Sequence, residues 1–152
     1  YKNKPKNIRA CCADIVERYG GEVPGSLDEL VTLPGIGRKT ANVVLGDAFD
    51  TPGVTVDTHV GRLSRRLGFT RHRDPVKVEL VLMELVPRAE WTEFSHRLIL
   101  HGRKVCLARK PRCESCAVAA LCPKVGVKGL AAKRKRKRKP VSGRPGGAAP
   151  PP

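Results

Sequence analysis

Lys39 stands in the stretch Leu33-Pro34-Gly35-Ile36-Gly37-Arg38-Lys39-Thr40-Ala41. A lysine amine in its uncharged form is a nucleophile, and its attack on a sugar carbon leads to a Schiff base. Eighteen residues later, Val56-Asp57-Thr58-His59 supplies a carboxylate that could stabilise a cationic centre and handle protons. Near the end, Cys106, Cys113, Cys116 and Cys122 form C-x6-C-x2-C-x5-C, four thiols within 17 residues. Such a set can close on one metal centre, and both zinc and iron–sulfur centres use it. Zinc sites more often show two C-x2-C pairs; only one pair occurs here, which favours iron–sulfur but leaves both open. Basic residues crowd the first cysteine on both sides: Arg103, Lys104, Arg109, Lys110 and Arg112. A basic loop held by a metal centre suits phosphate contact, and a purely structural staple is compatible with that use. The remaining cysteines, Cys11 and Cys12, are adjacent in a helical pattern and read as core residues.

The elements that must position these groups follow from caps and breakers. Ser26-Leu27-Asp28-Glu29 is a capping box that opens a short helix ending near Leu33. Pro34 and Gly35 break it, and Gly37 is expected to allow the tight reversal. A second helix over 38–48 would bury Ala41, Val44, Leu45 and Ala48. Two helices joined in this way make a helix-hairpin-helix. Its free N–H groups and glycines suit a phosphate, so Pro34, Gly35, Ile36, Gly37, Arg38, Lys39 and Thr40 are candidate DNA contacts. The positive end of the second helix, with Arg38 beside it, disfavours an ammonium at Lys39.

Upstream, an amphipathic helix over 6–19 repeats Ile8, Cys11, Cys12, Ile15, Val16 and Tyr19 at helical spacing, and Gly20-Gly21 ends it. Downstream, Val54-Thr55-Val56 is short and extended, and Asp57 sits where an N-cap belongs. That helix runs through Val60, Leu63 and Leu67 to Gly68. Asp74-Pro75 opens another, burying Val78, Val81, Leu82 and Leu85. A last helix from about Glu90 carries Trp91, Phe94 and Leu98 and stops at Gly102. His59 reads as a packed or capping residue. Every element is a helix, so the class is all-α.

The chain has 152 residues and a net charge of +16, and it begins on Tyr1, as a piece of a longer chain would. Ten of its 30 Lys and Arg lie from Lys124 onward with no acidic residue, which leaves residues 1–123 at only +6. A polyanion partner follows, nucleic acid ahead of a membrane surface. No apolar run approaches the roughly 20 residues of a membrane span, and no signal peptide is present. Lys and Arg fill 133–139, and Gly, Ala and Pro fill most of 143–152, so the segment is expected to be disordered. The expected organisation is a helical domain over 1–102, a cysteine loop over 103–123 and a basic tail over 124–152.

These motifs, together with Leu100-His101-Gly102-Arg103, come in an order and spacing that resemble the endonuclease III family of the helix-hairpin-helix-GPD superfamily. The resemblance covers about residues 1–123. It implies a bifunctional base-excision repair DNA glycosylase and AP lyase that acts on oxidised pyrimidines. It implies Lys39 as the nucleophile, Asp57 as its carboxylate partner, and a [4Fe–4S] cluster on Cys106, Cys113, Cys116 and Cys122. The implied partner is double-stranded DNA with damaged pyrimidines or abasic sites; the implied state is a monomer, intracellular and DNA-associated, with no membrane. The family also has a portion ahead of the first helix found here, with a residue that fills the gap left by a flipped base. The chain therefore reads as roughly the C-terminal two-thirds of such an enzyme, expected to be a poor catalyst alone. Two competing readings stand beside it. One is an adenine glycosylase-like enzyme, which usually lacks a lysine where Lys39 stands. The other is a non-catalytic DNA-binding module with a structural metal.

Overall fold

Caps and breakers divide the chain into six α-helices among residues 3–127, the residues described by the computed structural model. They are α1 Asn3–Tyr19, α2 Leu27–Leu30, α3 Arg38–Ala48, α4 Thr58–Arg66, α5 Pro75–Leu85 and α6 Trp91–Lys104. Single 3-10 turns occupy Arg88–Glu90 and Cys113–Ser115. No strand occurs among the described residues, and none of their helices is long and apolar enough to cross a membrane. The basic run over 133–139 lies outside the described residues.

The caps act as the sequence predicts. Ser26 accepts the Glu29 amide at 3.3 Å, and its hydroxyl donates to the Glu29 carboxylate at 2.6 Å. Asp57 Oδ1 accepts both the His59 and Val60 amides at 2.8 Å, and Asp74 accepts the Lys77 amide at 2.9 Å. Each cap satisfies amides that the first helical turn leaves without partners.

Two apolar clusters form. Leu30, Leu33, Ala41 and Leu45 close the hairpin of α2 and α3, with Cys11, Ile15 and Tyr19 of α1 packed against them. The extended segment Val54 and Val56 joins Val60, Leu63, Val78, Leu82 and Leu98 in the second, at the meeting of α4, α5 and α6. The buried segment has no strand partner. Instead the Thr55 amide donates to Ser95 Oγ at 3.0 Å, and Asn42 Nδ2 donates to the Val54 carbonyl at 3.1 Å.

Several expectations need correction. The reversal between α2 and α3 falls on Gly35, whose φ is +79°, and not on Gly37, whose φ of −98° any residue adopts. A Cβ on Gly35 would also lie 2.7 Å from the Asn7 side chain. α2 ends at Leu30, and Leu33 reaches the core from a turn. α1 starts at Asn3 and buries no residue fully; Ile8, Cys12 and Val16 are exposed, because only its Cys11–Ile15–Tyr19 edge meets the hairpin. Ala48 and Leu85 lie on last turns beyond the clusters and are exposed, whereas polar Asn42 and Glu79 are buried. Gly102 does not end α6, which continues to Lys104.

The burial of Glu79 is explained by Arg38. Arg38 Nη2 donates to Glu79 Oε1 at 2.8 Å and Nε donates to Oε2 at 2.9 Å, a two-point pair that ties the start of α3 to α5. The hydrogen bonds to Glu79 hold the Arg38 guanidinium above its ordinary range, outweighing its partial burial.

The pair is asymmetric, with the arginine side chain 40% exposed and the carboxylate 6%. Arg38→Ala leaves a buried carboxylate unpaired and should lower stability by about 3 kcal/mol. Glu79→Gln leaves an arginine that water can reach, so its cost should be nearer about 1 kcal/mol. The hairpin glycines should separate as well. Gly35→Ala should cost at least about 1–2 kcal/mol for the left-handed backbone alone, whereas Gly37→Ser supplies a missing side-chain cap and should change stability by only a few tenths of a kcal/mol. Denaturant melts of the four variants check both contrasts.

Candidate functional site

Lys39 is the second residue of α3, and Asp57 caps α4 from the end of the buried Val54-Thr55-Val56 segment. Folding brings both to one open cleft, lined also by Val56, Thr58, Gly61, Arg62, Arg65, Arg73 and Pro75. The cleft holds about 1070 Å³, counting space that merges with solvent. Lys39 is exposed, and its helix begins at Gly37 with no side-chain cap, so the amides of that first turn are open to an outside anion.

The capping geometry divides the work of Asp57 between its oxygens. Oδ1 takes both amide hydrogens, while Oδ2 has no hydrogen-bond partner among the described residues. A carboxylate held at one oxygen and free at the other is oriented and still available to chemistry. The expectation that Arg38 adds positive charge beside Lys39 is qualified by the ion pair, since the charge of Arg38 is balanced by Glu79. Pro34, Gly35, Ile36, Gly37 and Thr40 lie together on the loop and the first turn of α3, as a hairpin requires.

The four cysteines of the C-terminal loop line a second cavity with Leu63, Arg66, His101, Arg112, Val118 and Lys124. No carboxylate lines it. Among the described residues no three His, Cys, Asp or Glu side chains are gathered tightly enough for a single metal ion; the thiols are spread around the wall. Burial pushes the Cys113 thiol up from its ordinary range, with Lys124 opposing that shift. Residues 124–127 belong with this loop, since Lys124 and Val127 line the cavity and the Val125 amide donates to the Arg66 carbonyl at 3.1 Å.

Arginines of α4 hold the loop in place. Arg62 Nη2 donates to the carbonyls of Gly102 and Cys106, both at 3.0 Å, and lies 3.1 Å from His59 Nδ1. One turn on, Arg66 Nη1 donates to Leu107 O at 2.7 Å and Cys106 Sγ at 3.3 Å, while its Nη2 donates to Ala108 O at 2.7 Å. Burial lowers the Arg62 guanidinium from its ordinary range, and nearby Arg66 adds to that shift. His59 finds its place here as well. A Cβ on Gly102 would come within 2.9 Å of the His59 ring, so α6 crosses α4 closely only because residue 102 has no side chain.

Sequence reasoning missed Arg62, Arg65 and Arg73 as cleft residues and Glu79 as the partner of Arg38. The Arg65-Arg66 pair and the Arg71-His72-Arg73 run are visible in the sequence as charge. Which arginine faces a carbonyl, a cavity or solvent depends on the helix crossing.

The helix-hairpin-helix motif is matched over residues 18–46. Endonuclease III of Synechocystis sp. is 56% identical over 124 residues, covering 81% of this chain and 57% of the relative. Endonuclease III of Bacillus subtilis is 54% identical over 80% of this chain and 56% of the relative. A solved non-covalent endonuclease III–DNA complex superposes with a TM-score of 0.78 at 50% identity, over 82% of this chain and 58% of that one. A trapped endonuclease III–DNA covalent intermediate gives the same TM-score and identity over 59% of its chain. The chain thus spans a little over half the length of the curated relatives it matches. Over the matched region the chain is thus similar to endonuclease III in sequence, in fold and in its hairpin motif.

Proposed function

We propose that the chain carries the catalytic region of a base-excision repair DNA glycosylase that also cleaves abasic strands, with oxidised pyrimidines as its substrates. The observation that carries this reading is the placement of Lys39 and Asp57 in one cleft, with one carboxylate oxygen fixed and the other free. A related endonuclease III has been trapped covalently on DNA, which accords with an amine nucleophile.

In this mechanism the damaged base leaves the stack and enters the cleft. The uncharged Lys39 Nζ attacks C1′, and the C1′–N bond breaks with its electron pair leaving on the base, which takes up a proton. The sugar opens to a Schiff base. Loss of a proton from C2′ then breaks the C3′–O bond, and the phosphate departs with those electrons. Water finally hydrolyses the Schiff base and frees Lys39. The free Asp57 oxygen stabilises the cationic sugar and takes up protons. The hairpin residues 34–40 hold the phosphate backbone of double-stranded DNA, with the uncapped amides at the start of α3 as donors and Lys39 reaching past them.

The cysteine cavity fits a [4Fe–4S] cluster held by Cys106, Cys113, Cys116 and Cys122. Its donor set is soft, no carboxylate competes, and N–H donors from Arg66 and the Lys124 amide lie beside Cys106 Sγ and Cys122 Sγ. When bound, the cluster supplies a staple that fixes the basic loop over 103–112.

Lys39→Gln in the protein at its full natural length should abolish borohydride trapping on abasic DNA while leaving DNA binding largely in place. An adduct formed by that variant at the wild-type rate would place the nucleophile elsewhere. Asp57→Asn should melt as the wild type does, because Asn caps as well as Asp, yet lose most turnover; unchanged turnover would leave Asp57 as a cap alone.

Anaerobically purified protein should be brown, with broad absorption near about 400 nm. Cys113→Ser should lose iron and colour together. Colourless wild-type protein with stoichiometric zinc would overturn the cluster assignment.

A further inference from the structure

The cleft of Lys39 and Asp57 carries more positive charge than the proposed chemistry uses. Lys39, Arg62, Arg65 and Arg73 line it against one carboxylate, Asp57. Arg62 is committed to the Gly102 and Cys106 carbonyls. Arg65 and Arg73 are different: neither guanidinium makes a hydrogen bond or ion pair with any described residue. On α4 itself the other two arginines are engaged, Arg62 as above and Arg66 with the cysteine loop.

Arg65 lies against Gly61, one turn earlier on α4. Gly61 is buried, and its missing Cβ would lie 3.6 Å from Arg65 Nη1 and 3.9 Å from Val56 Cγ1. The half-buried Arg65 therefore lies back along the helix over Gly61, in the wall of the cleft. Glycine inside a helix costs about 0.5–1 kcal/mol relative to alanine, and a Cβ here would make only ordinary contact. Backbone clash does not require the glycine, whereas the guanidinium uses the space beside it.

We propose that Arg65, seated beside Gly61 in the cleft that Arg73 also lines, forms a subsite for a phosphodiester of the DNA strand next to the sugar that Lys39 attacks. This rests on the function proposed above. A planar guanidinium matches two phosphate oxygens at once, and partial burial weakens screening by salt. The diester on the 3′ side of the sugar and that on the 5′ side present the same chemistry. A contact on the 3′ side would also stabilise the departing phosphate, whose charge grows as the C3′–O bond breaks.

The test uses the protein at full natural length and duplexes carrying a tetrahydrofuran abasic analogue. Affinities are measured against undamaged duplex and against analogue duplexes with one neutral methylphosphonate, 3′ or 5′ of the analogue. Arg65→Ala should cut the preference for the analogue over undamaged DNA about tenfold and lower the salt slope by about one phosphate contact. The effect of the variant should vanish on one methylphosphonate duplex, and which one identifies the phosphate. Gly61→Leu keeps the charge but fills the space under the guanidinium; with wild-type melting it should lose the preference to the same degree. An unchanged preference in Arg65→Ala, or an equal effect on both methylphosphonate duplexes, would overturn the subsite alone. A wild-type protein that binds analogue and undamaged duplexes equally would overturn the function reading and the subsite with it.

Discussion

The crossing of α4 over α6 is the contact on which both candidate sites depend. It is close because Gly102 has no side chain where the His59 ring lies. Closeness lets Arg62 reach the Gly102 and Cys106 carbonyls, and one turn later lets Arg66 reach Leu107 and Ala108. These carbonyls lie in the last turn of α6 or just beyond it, where a helix runs out of its own donors. Two guanidiniums supply the donors from a neighbouring helix. The same helix is capped by Asp57, so its nine residues join the candidate carboxylate at one end to the contacts with the cysteine loop at the other.

Arginine does different work at each position of this small protein, and burial sorts the uses. Arg38 neutralises a buried carboxylate and ties α3 to α5. Arg62 and Arg66 replace missing backbone donors. Arg65 and Arg73 face a cleft without partners among the described residues. A net charge does not distinguish these cases, because it counts every guanidinium alike whatever its partner.

The apolar surface follows the same logic of incomplete cover. α1 leaves Ile8 and Val16 more than 60% exposed, and Leu85 lines a shallow groove with Phe69, Val86 and Phe94. Exposed apolar faces of this kind are surfaces that other structure can cover.

The sequence by itself determined the helices and the capped starts of α2, α4 and α5, because caps act through the residues beside them. Ser26, Asp57 and Asp74 each close on amides two or three residues on, and no distant contact is needed. It also determined the candidate chemistry, since a lysine after a Gly-x-Gly turn, a following carboxylate and four spaced thiols are all legible as residue types. What it could not determine were interactions between residues far apart in the chain. The reversal falls on Gly35 because Asn7 of another helix crowds it; Glu79 is buried because Arg38 reaches it; Gly102 lies inside a helix because His59 packs there. Periodicity weighs each helix alone and so places Ala48 and Leu85 inside. Tertiary structure alone decided which face meets a neighbour, because packing is a property of two surfaces and a sequence pattern describes one.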